Sequence, residues 1–298
     1  MKLVFDIYKL YFMERIKIFI ELTRLNKPIG FMLLFWPCSW GLGYAFNEDQ
    51  NTYLFIYYLI LFFLGSVLMR SAGCIFNDIV DKDFDKRVER TKTRPIASGK
   101  ITIRQSLIYV LALCLLAFII LLQFNLLTIV LGLSSMILAF SYPFMKRFTY
   151  WPQLFLGITF NWGIIMAWTS IINYINLEIL ILYLSAIFWT LGYDTIYGAQ
   201  DMYDDEIIGL KSTSLKFKKN MKMFVGTSYL ITTCLIIFLF KDYIGLNFFS
   251  ILLSLFIVSL FYQVLKFNNE NPKSCLLMFR LNNASGLILL VCILFIGI

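Results

Sequence analysis

Histidine is absent from the 298 residues, which excludes histidine metal sites, histidine general bases and the usual haem ligation. Charge is scarce as well, at 15% of the chain against 60% hydrophobic residues, with a mean hydropathy of +0.77. Such a composition excludes an ordinary soluble domain and defines an integral membrane chain. The six cysteines, Cys38, Cys74, Cys114, Cys234, Cys275 and Cys292, stand singly and form no Cys-x-x-Cys pair. They read as small core hydrophobes and not as a metal or disulfide framework. Low-complexity tracts and polar linkers are missing too, so one integral domain over 1–298 is expected.

What the chain does have is long apolar runs. A spanning helix needs about 20 mostly apolar residues. Nine such stretches occur, at 28–46, 53–75, 106–123, 126–145, 152–171, 178–198, 223–240, 244–265 and 276–298. If the spans alternate, every Lys and Arg except Arg70 and Lys241 falls on one side of the membrane. The net charge of +8 therefore reports topology and not nucleic-acid binding. The positive-inside rule places the N-terminus and the large loops in the cytoplasm. Together with a composition rich in Ile, Phe, Asn and Lys, this gives the expectation of a bacterial inner membrane. Residues 1–27 mix bases and acids among Leu, Ile, Phe and Tyr without a cleavage site, the pattern of an interfacial helix.

Acids gather in two places. FNDIVDKDFD (76–85) closes the second span, and DTIYGAQDMYDDE (194–206) closes the sixth. Four helices separate them, so both face the same side. At 100° per residue, Asp81 lies about 40° and Asp85 about 80° from Asn77, while Asp83 points away near 240°. Asp201 and Asp205 are likewise about 40° apart. Each cluster is a stripe. Carboxylates packed this way repel one another unless a cation binds, and hard oxygen ligands suit Mg²⁺, which is usually held by one or two carboxylates plus substrate phosphates. Bases flank the stripes: Lys82, Arg87, Arg90, Lys92 and Arg94 after the first, Lys211 after the second, and Lys146-Arg147 between them. Mg²⁺ ligands beside bases at an apolar boundary fit a diphosphate on a lipid tail. Arg70 lies inside a span, where a cation is a functional-site candidate by default. Its fork suits either a diphosphate or a carboxylate. Asp194 and Asn161 are further intramembrane polar groups, suited to the site or to a packing hydrogen bond.

The stretch MRSAGCIFNDIVDKDFDKRVERTKTRPIASGKI (69–101) and the segment LGYDTIYGAQDMYDDEIIGLKSTSL (191–215) resemble the two signatures of the UbiA-type intramembrane prenyltransferases, in their 4-hydroxybenzoate branch. RLNKPIGFMLLFWPCSWGL and YPFMKRFTYWPQ are similar to other segments of that family. Gly198 and Met202-Tyr203 depart mildly from its second signature. The resemblance implies an all-α membrane protein of nine helices, with a cytoplasmic-side cap from the loops after helices 2 and 6 (84–105 and 206–220). It implies an enzyme that moves a polyprenyl group from polyprenyl diphosphate to the carbon ortho to the hydroxyl of 4-hydroxybenzoate. Mg²⁺ would be held by Asn77, Asp81, Asp85, Asp201 and Asp205, and the diphosphate gripped by Arg147. Catalytic work is expected of Asp81, Asp85, Asp201, Asp205 and Arg147. Substrate binding is expected of Arg70, Lys82, Arg94, Lys146, Asp194 and Lys211. The partners expected are the two substrates and the bilayer, with no nucleic acid and no obligate protein partner. A naphthoate, homogentisate or haem acceptor is the alternative within the enzyme class, and an ion-coupled transporter the alternative outside it.

Overall fold

A computed structural model describes residues 2–296, with side chains from residue 12 onward. Its helices in chain order are α1 (Lys2–Thr23), α2 (Ile29–Asp49), α3 (Thr52–Val80), α4 (Lys82–Asp85), α5 (Ile103–Leu121), α6 (Leu126–Phe148) and α7 (Pro152–Ile172). They continue as α8 (Leu177–Gly198), α9 (Met202–Ile208), α10 (Thr213–Lys216), α11 (Met221–Leu239), α12 (Phe248–Lys266) and α13 (Pro272–Leu294). Among the described residues nine helices are long and apolar enough to cross a membrane: α2, α3, α5–α8 and α11–α13. These are the nine expected spans.

The two faces of the bundle are built differently. On the face away from the acids, four tight connections each begin a helix with asparagine: Asn51, Asn125, Asn176 and Asn247 accept from the backbone N–H of Leu54, Thr128, Ile179 and Ser250. Such caps satisfy helix-start donors that would otherwise be left bare near lipid. The acid-bearing face has the long connections, including α4, α9 and α10. The second span also runs further than expected, to Val80 and not 75, so Asn77 and Asp78 are helical.

The interior is held by close helix contact and by aromatics. Trp40 and Trp189 lie with ring centroids 4.8 Å apart, and the Trp40 Nε1–H donates to the Gly286 carbonyl at 2.9 Å. At Gly41 a Cβ would stand 2.4 Å from the Ile164 carbonyl oxygen, so α2 and α7 touch backbone to backbone there, the small-residue packing of membrane bundles. Because the obstacle is backbone, it cannot give way as a side chain would. Gly41→Val is expected to cost about 3 kcal/mol or more, read as a lower thermal midpoint of the detergent-solubilised protein. Asn161, one of the candidates for the site, is instead a packing residue. It is fully buried, and its Nδ2 donates to the carbonyls of Gly157 and Ala186 and to Thr190 Oγ1. A second buried network joins Trp189, Asn282, Gln263 and Tyr229 across four helices.

Outward faces are apolar. Leu111, Leu115 and Ile119 on α5, Val130 and Ile137 on α6, and Leu255, Val258 and Phe261 on α12 are all exposed. Exposed apolar surface of this extent belongs against lipid. On α1, Ile18 and Leu22 pack on Ala72 and Ile75 of α3, while Phe12, Ile16 and Ile20 stay exposed. The other part of the expected interfacial segment, up to residue 11, lies outside the described side chains. All six cysteines are free.

Candidate active site

The two acidic motifs fold alike. α3 ends at Val80, and Asp81 (φ −93°, ψ 2°) begins α4. α8 ends at Gly198, and Asp201 (φ −109°, ψ 3°) begins α9. In both, the backbone N–H of the second aspartate returns to the carbonyl of the first, Asp85 to Asp81 at 2.8 Å and Asp205 to Asp201 at 2.9 Å. An i,i+4 pair is thereby kept on one side of a single helical turn. All four carboxylates, with Asn77, line one cavity of ≈ 1510 Å³.

Bases reach into the acids from several elements. Lys146 on α6 donates to Asp81 Oδ2, which also accepts from Asn77 Nδ2 at 2.9 Å. Arg94 grips both Asp85 oxygens at 3.0 and 2.9 Å and reaches Asp78 Oδ1 at 3.2 Å. Arg24, at the end of α1, meets the same Asp78 oxygen at 2.6 Å. Arg90 holds Asp201 through two bonds of 2.7 and 2.6 Å, tying the connection after the second span to the one after the sixth. Burial pushes the Asp81 carboxyl up, and the adjacent Lys146 ammonium offsets part of that. Asp205 is raised to about 6 by burial and by the charge of Asp201, and it makes no side-chain hydrogen bond or ion pair among the described residues.

Further from the acids the wall turns apolar, with Phe31, Phe62, Leu115, Phe118, Leu121 and Met136. The volume exceeds the roughly 300–1,000 Å³ of ordinary ligand pockets, leaving room for a long apolar group beside a polar one. Arg70, Arg94, Lys146, Asp194 and Lys211 all line the cavity. Two expected site residues do not. Arg147 is turned behind Asp81: it donates to the Val80 carbonyl at 2.7 Å, lies 3.9 Å from Asp81 Oδ1 and packs over the rings of Phe84 and Phe144. Neighbours on a helix diverge by about 100°, so Lys146 and Arg147 cannot both face inward. Lys82 fails for the same reason, one step past Asp81. Asp78 and Arg24 also line the cavity, although sequence reasoning gave them no role there, and Arg90 was read only as one of the flanking bases. Asp78 has a signal there, since it lies about 100° from Asn77 on the stripe's own flank.

The residues fit a divalent cation, although no three carboxylates come together as a ready-made metal cage among the described residues. Buried Asp81 Oδ1 has no hydrogen-bond partner, and the donors are hard oxygens. One or two carboxylates per ion, completed by phosphate oxygens, is the usual Mg²⁺ arrangement.

Among the described residues, a nine-span helical bundle carries two matched acidic motifs over one amphipathic cavity, the architecture of an intramembrane protein with a site at one membrane face. Residues 34–285 match the UbiA prenyltransferase family, and the chain belongs to that family. Its relatives include the 4-hydroxybenzoate polyprenyltransferase, mitochondrial, of Arabidopsis thaliana, 48% identical over 72% of this chain and 53% of that protein. The protein of that name from Drosophila pseudoobscura pseudoobscura is 41% identical over 92% and 68%, and the one from Homo sapiens 47% over 68% and 55%. The chain thus spans about half the length of the Arabidopsis and human relatives. A UbiA homolog from Aeropyrum pernix K1 has the same fold, with a TM-score of 0.73 at 24% identity, covering 88% of this chain and 96% of that one. A UbiA homolog from Archaeoglobus fulgidus, solved with DMAPP and Mg²⁺, gives 0.65 at 16% identity, covering 92% and 99%. The three curated relatives are named as mitochondrial proteins, which overturns the expectation of a bacterial inner membrane. Base asymmetry tells one face of a membrane from the other; it does not tell which membrane.

Proposed function

We propose that the chain transfers a polyprenyl group from polyprenyl diphosphate to 4-hydroxybenzoate, in a mitochondrial membrane and with Mg²⁺. The observation that carries this is the pair of matched aspartate turns, Asp81/Asp85 and Asp201/Asp205, at one end of a cavity whose remainder is apolar. The names of the relatives supply the acceptor.

Asn77, Asp81, Asp85, Asp201 and Asp205 hold the metal. When bound, Mg²⁺ supplies charge neutralisation for the departing diphosphate. Lys146, Arg94 and Arg90, each paired with a carboxylate, exchange that partner for phosphate oxygens as the substrate enters. Arg147 acts from behind, holding Val80 and Asp81 in place. The bond from the prenyl C1 to the diphosphate oxygen breaks, the ring carbon ortho to the hydroxyl forms a bond to C1, and that carbon loses its proton. Diphosphate leaves with the bonding electron pair. The segments 84–105 and 206–220 form a lid that excludes water from the electron-deficient prenyl group, with Arg90 tying the first to Asp201, just ahead of the second.

The test uses membranes containing the protein, a long-chain polyprenyl diphosphate and radiolabelled 4-hydroxybenzoate. Label is expected to enter the lipid fraction with Mg²⁺ and to fall at least about 100-fold after chelation, returning on re-addition. Prenylation that persists unchanged in chelator would remove the metal from this reading. Diphosphate release without labelled lipid would show the acceptor to be another aromatic.

A further inference from the structure

Among the described residues the acid-bearing face has a further hollow, of ≈ 340 Å³, where α11 begins and α12 ends. Lys218, Lys219, Asn220, Lys222 and Asn269 line it, and none of them reaches the catalytic cavity. They belong mainly to one short run, KFKKNMK (216–222), which holds four bases and no acid. Aromatic contacts fix the course of that run. The Phe217 ring stacks on Phe224 at 3.9 Å and meets Trp151 edge-on, and Lys216 lies over the other side of the cluster, 4.6 Å from the Trp151 ring. Lys222, on the first turn of α11, reaches across to the ring of Phe267 after α12, at 5.8 Å. The hollow therefore spans the gap between two membrane helices.

Elsewhere on this face Lys86, Arg90 and Lys92 each pair with an acid. Lys218 does so too, with Glu206 at 2.7 Å on the exposed surface. Lys219 and Lys222 have no carboxylate partner among the described residues, and Glu270, the acid of the connection after α12, pairs with neither. A charge that only marks topology needs to be on the right face and nothing more. It has no need to converge with two others on one hollow beside a pair of asparagine amides. Further along the same two helices the surface is apolar and open: Met223 and Leu230 on α11 and Phe261 on α12 are exposed. Between them the helices close up, since a Cβ on Gly226 would stand 3.6 Å from Val264 Cγ1. Bases at the end of a span, continued by exposed apolar side chains, match an anion that carries acyl chains. We infer that the groove between α11 and α12 binds an anionic phospholipid, its phosphate among Lys218, Lys219, Lys222 and Asn269 and its acyl chains along Met223, Leu230 and Phe261. A free phosphate would use the lysines and leave the apolar groove unused. The site is independent of the prenyl-transfer reading above.

The experiment uses the full chain in non-ionic detergent with equal amounts of dioleoyl phosphatidylglycerol and dioleoyl phosphatidylcholine. Bound lipid is counted by native mass spectrometry, and the thermal midpoint is followed alongside. Wild type is expected to hold phosphatidylglycerol about 10-fold or more over phosphatidylcholine, and its midpoint to rise only with the anionic lipid. Lys219→Gln with Lys222→Gln is expected to cut that preference below about 3-fold, with the midpoint in phosphatidylcholine unchanged. Lys219→Arg with Lys222→Arg keeps both charges and should keep the preference. Lys17→Gln with Arg104→Gln removes the same charge from outside the groove and should also keep it. No preference in wild type, or an equal loss in that control, would overturn the site by reducing it to the net charge of the face. Inorganic phosphate or glycerophosphoglycerol raising the midpoint as much as the whole lipid would overturn it too, since the acyl chains would then contribute nothing.

Discussion

Asp81→Asn is expected to lower prenyl transfer by about 10³-fold, with the protein still folded. The residue is 1% exposed and stands where four contributions meet. It accepts from Lys146 and Asn77 on one oxygen, keeps the other free of hydrogen bonds, has Arg147 beside it, and begins the turn that places Asp85. An amide has the same shape and keeps the turn, so the change is one of charge. A lost charge at a centre that stabilises a departing anion costs about 10²–10³-fold for a single donor, and more where it also weakens metal affinity, by about 10–100-fold. Stability responds in the opposite way to simple intuition. Removing one partner of a buried ion pair leaves the other uncompensated, but Lys146 is 25% exposed and can turn toward water. A loss of only about 1 kcal/mol is expected, read as a small shift of the thermal midpoint. The measurement is single-turnover product formation across a Mg²⁺ titration. Activity restored by high Mg²⁺ would assign Asp81 mainly to affinity. Undiminished activity at every concentration would remove it from the site.

The spans and the placing of the aspartates were legible because both are written in local order. Nine apolar runs predict nine helices, and i,i+4 aspartates on helical turns predict a stripe. What was not legible depends on contacts distant in sequence. Lys146 and Arg147 are adjacent bases, and nothing local says which one faces Asp81; the rotation of α6 against α3 decides. Arg24 read as one of many topology charges, yet α1 packs along α3 through Ile18 and Leu22 and so delivers it to Asp78, 54 positions away. Arg90 was a base in a long loop. Its pairing with Asp201, 111 positions on, exists only because the two motif-bearing helices end side by side. Asn161 stayed open because a polar residue in a span has two uses, and only the neighbouring Thr190 and the carbonyls of Gly157 and Ala186 show which one applies.

Asp205→Asn is expected to match Asp81→Asn in effect, with a loss of about 10²–10³-fold in turnover, while Asp201→Asn loses less. The two aspartates share a turn but not a condition. Asp201 is already neutralised by the bidentate Arg90, so it must exchange that partner before it can hold a cation. Asp205 has no hydrogen-bonded or ion-paired partner among the described residues, and burial beside Asp201 holds its carboxyl up near 6. A carboxylate kept in that condition gains most from an incoming cation, since binding relieves both the burial and the repulsion. Its removal should therefore shift the Mg²⁺ dependence of activity furthest to the right. Asp201→Asn is expected to act through the lid as well: it frees Arg90, loosens the link between the two loops, and raises hydrolysis of the polyprenyl diphosphate to free alcohol. Asp83 is the control. Its side chain is 83% exposed and points away from the stripe, so Asp83→Asn should change activity less than 2-fold or so. Measuring prenylated product and prenyl alcohol together across the three variants separates the roles. Equal Mg²⁺ shifts for Asp201 and Asp205 would show that the Arg90 pair dissolves before the metal binds. An Asp83 effect as large as either would mean that net acidity, and not the two facing turns, draws the cation in.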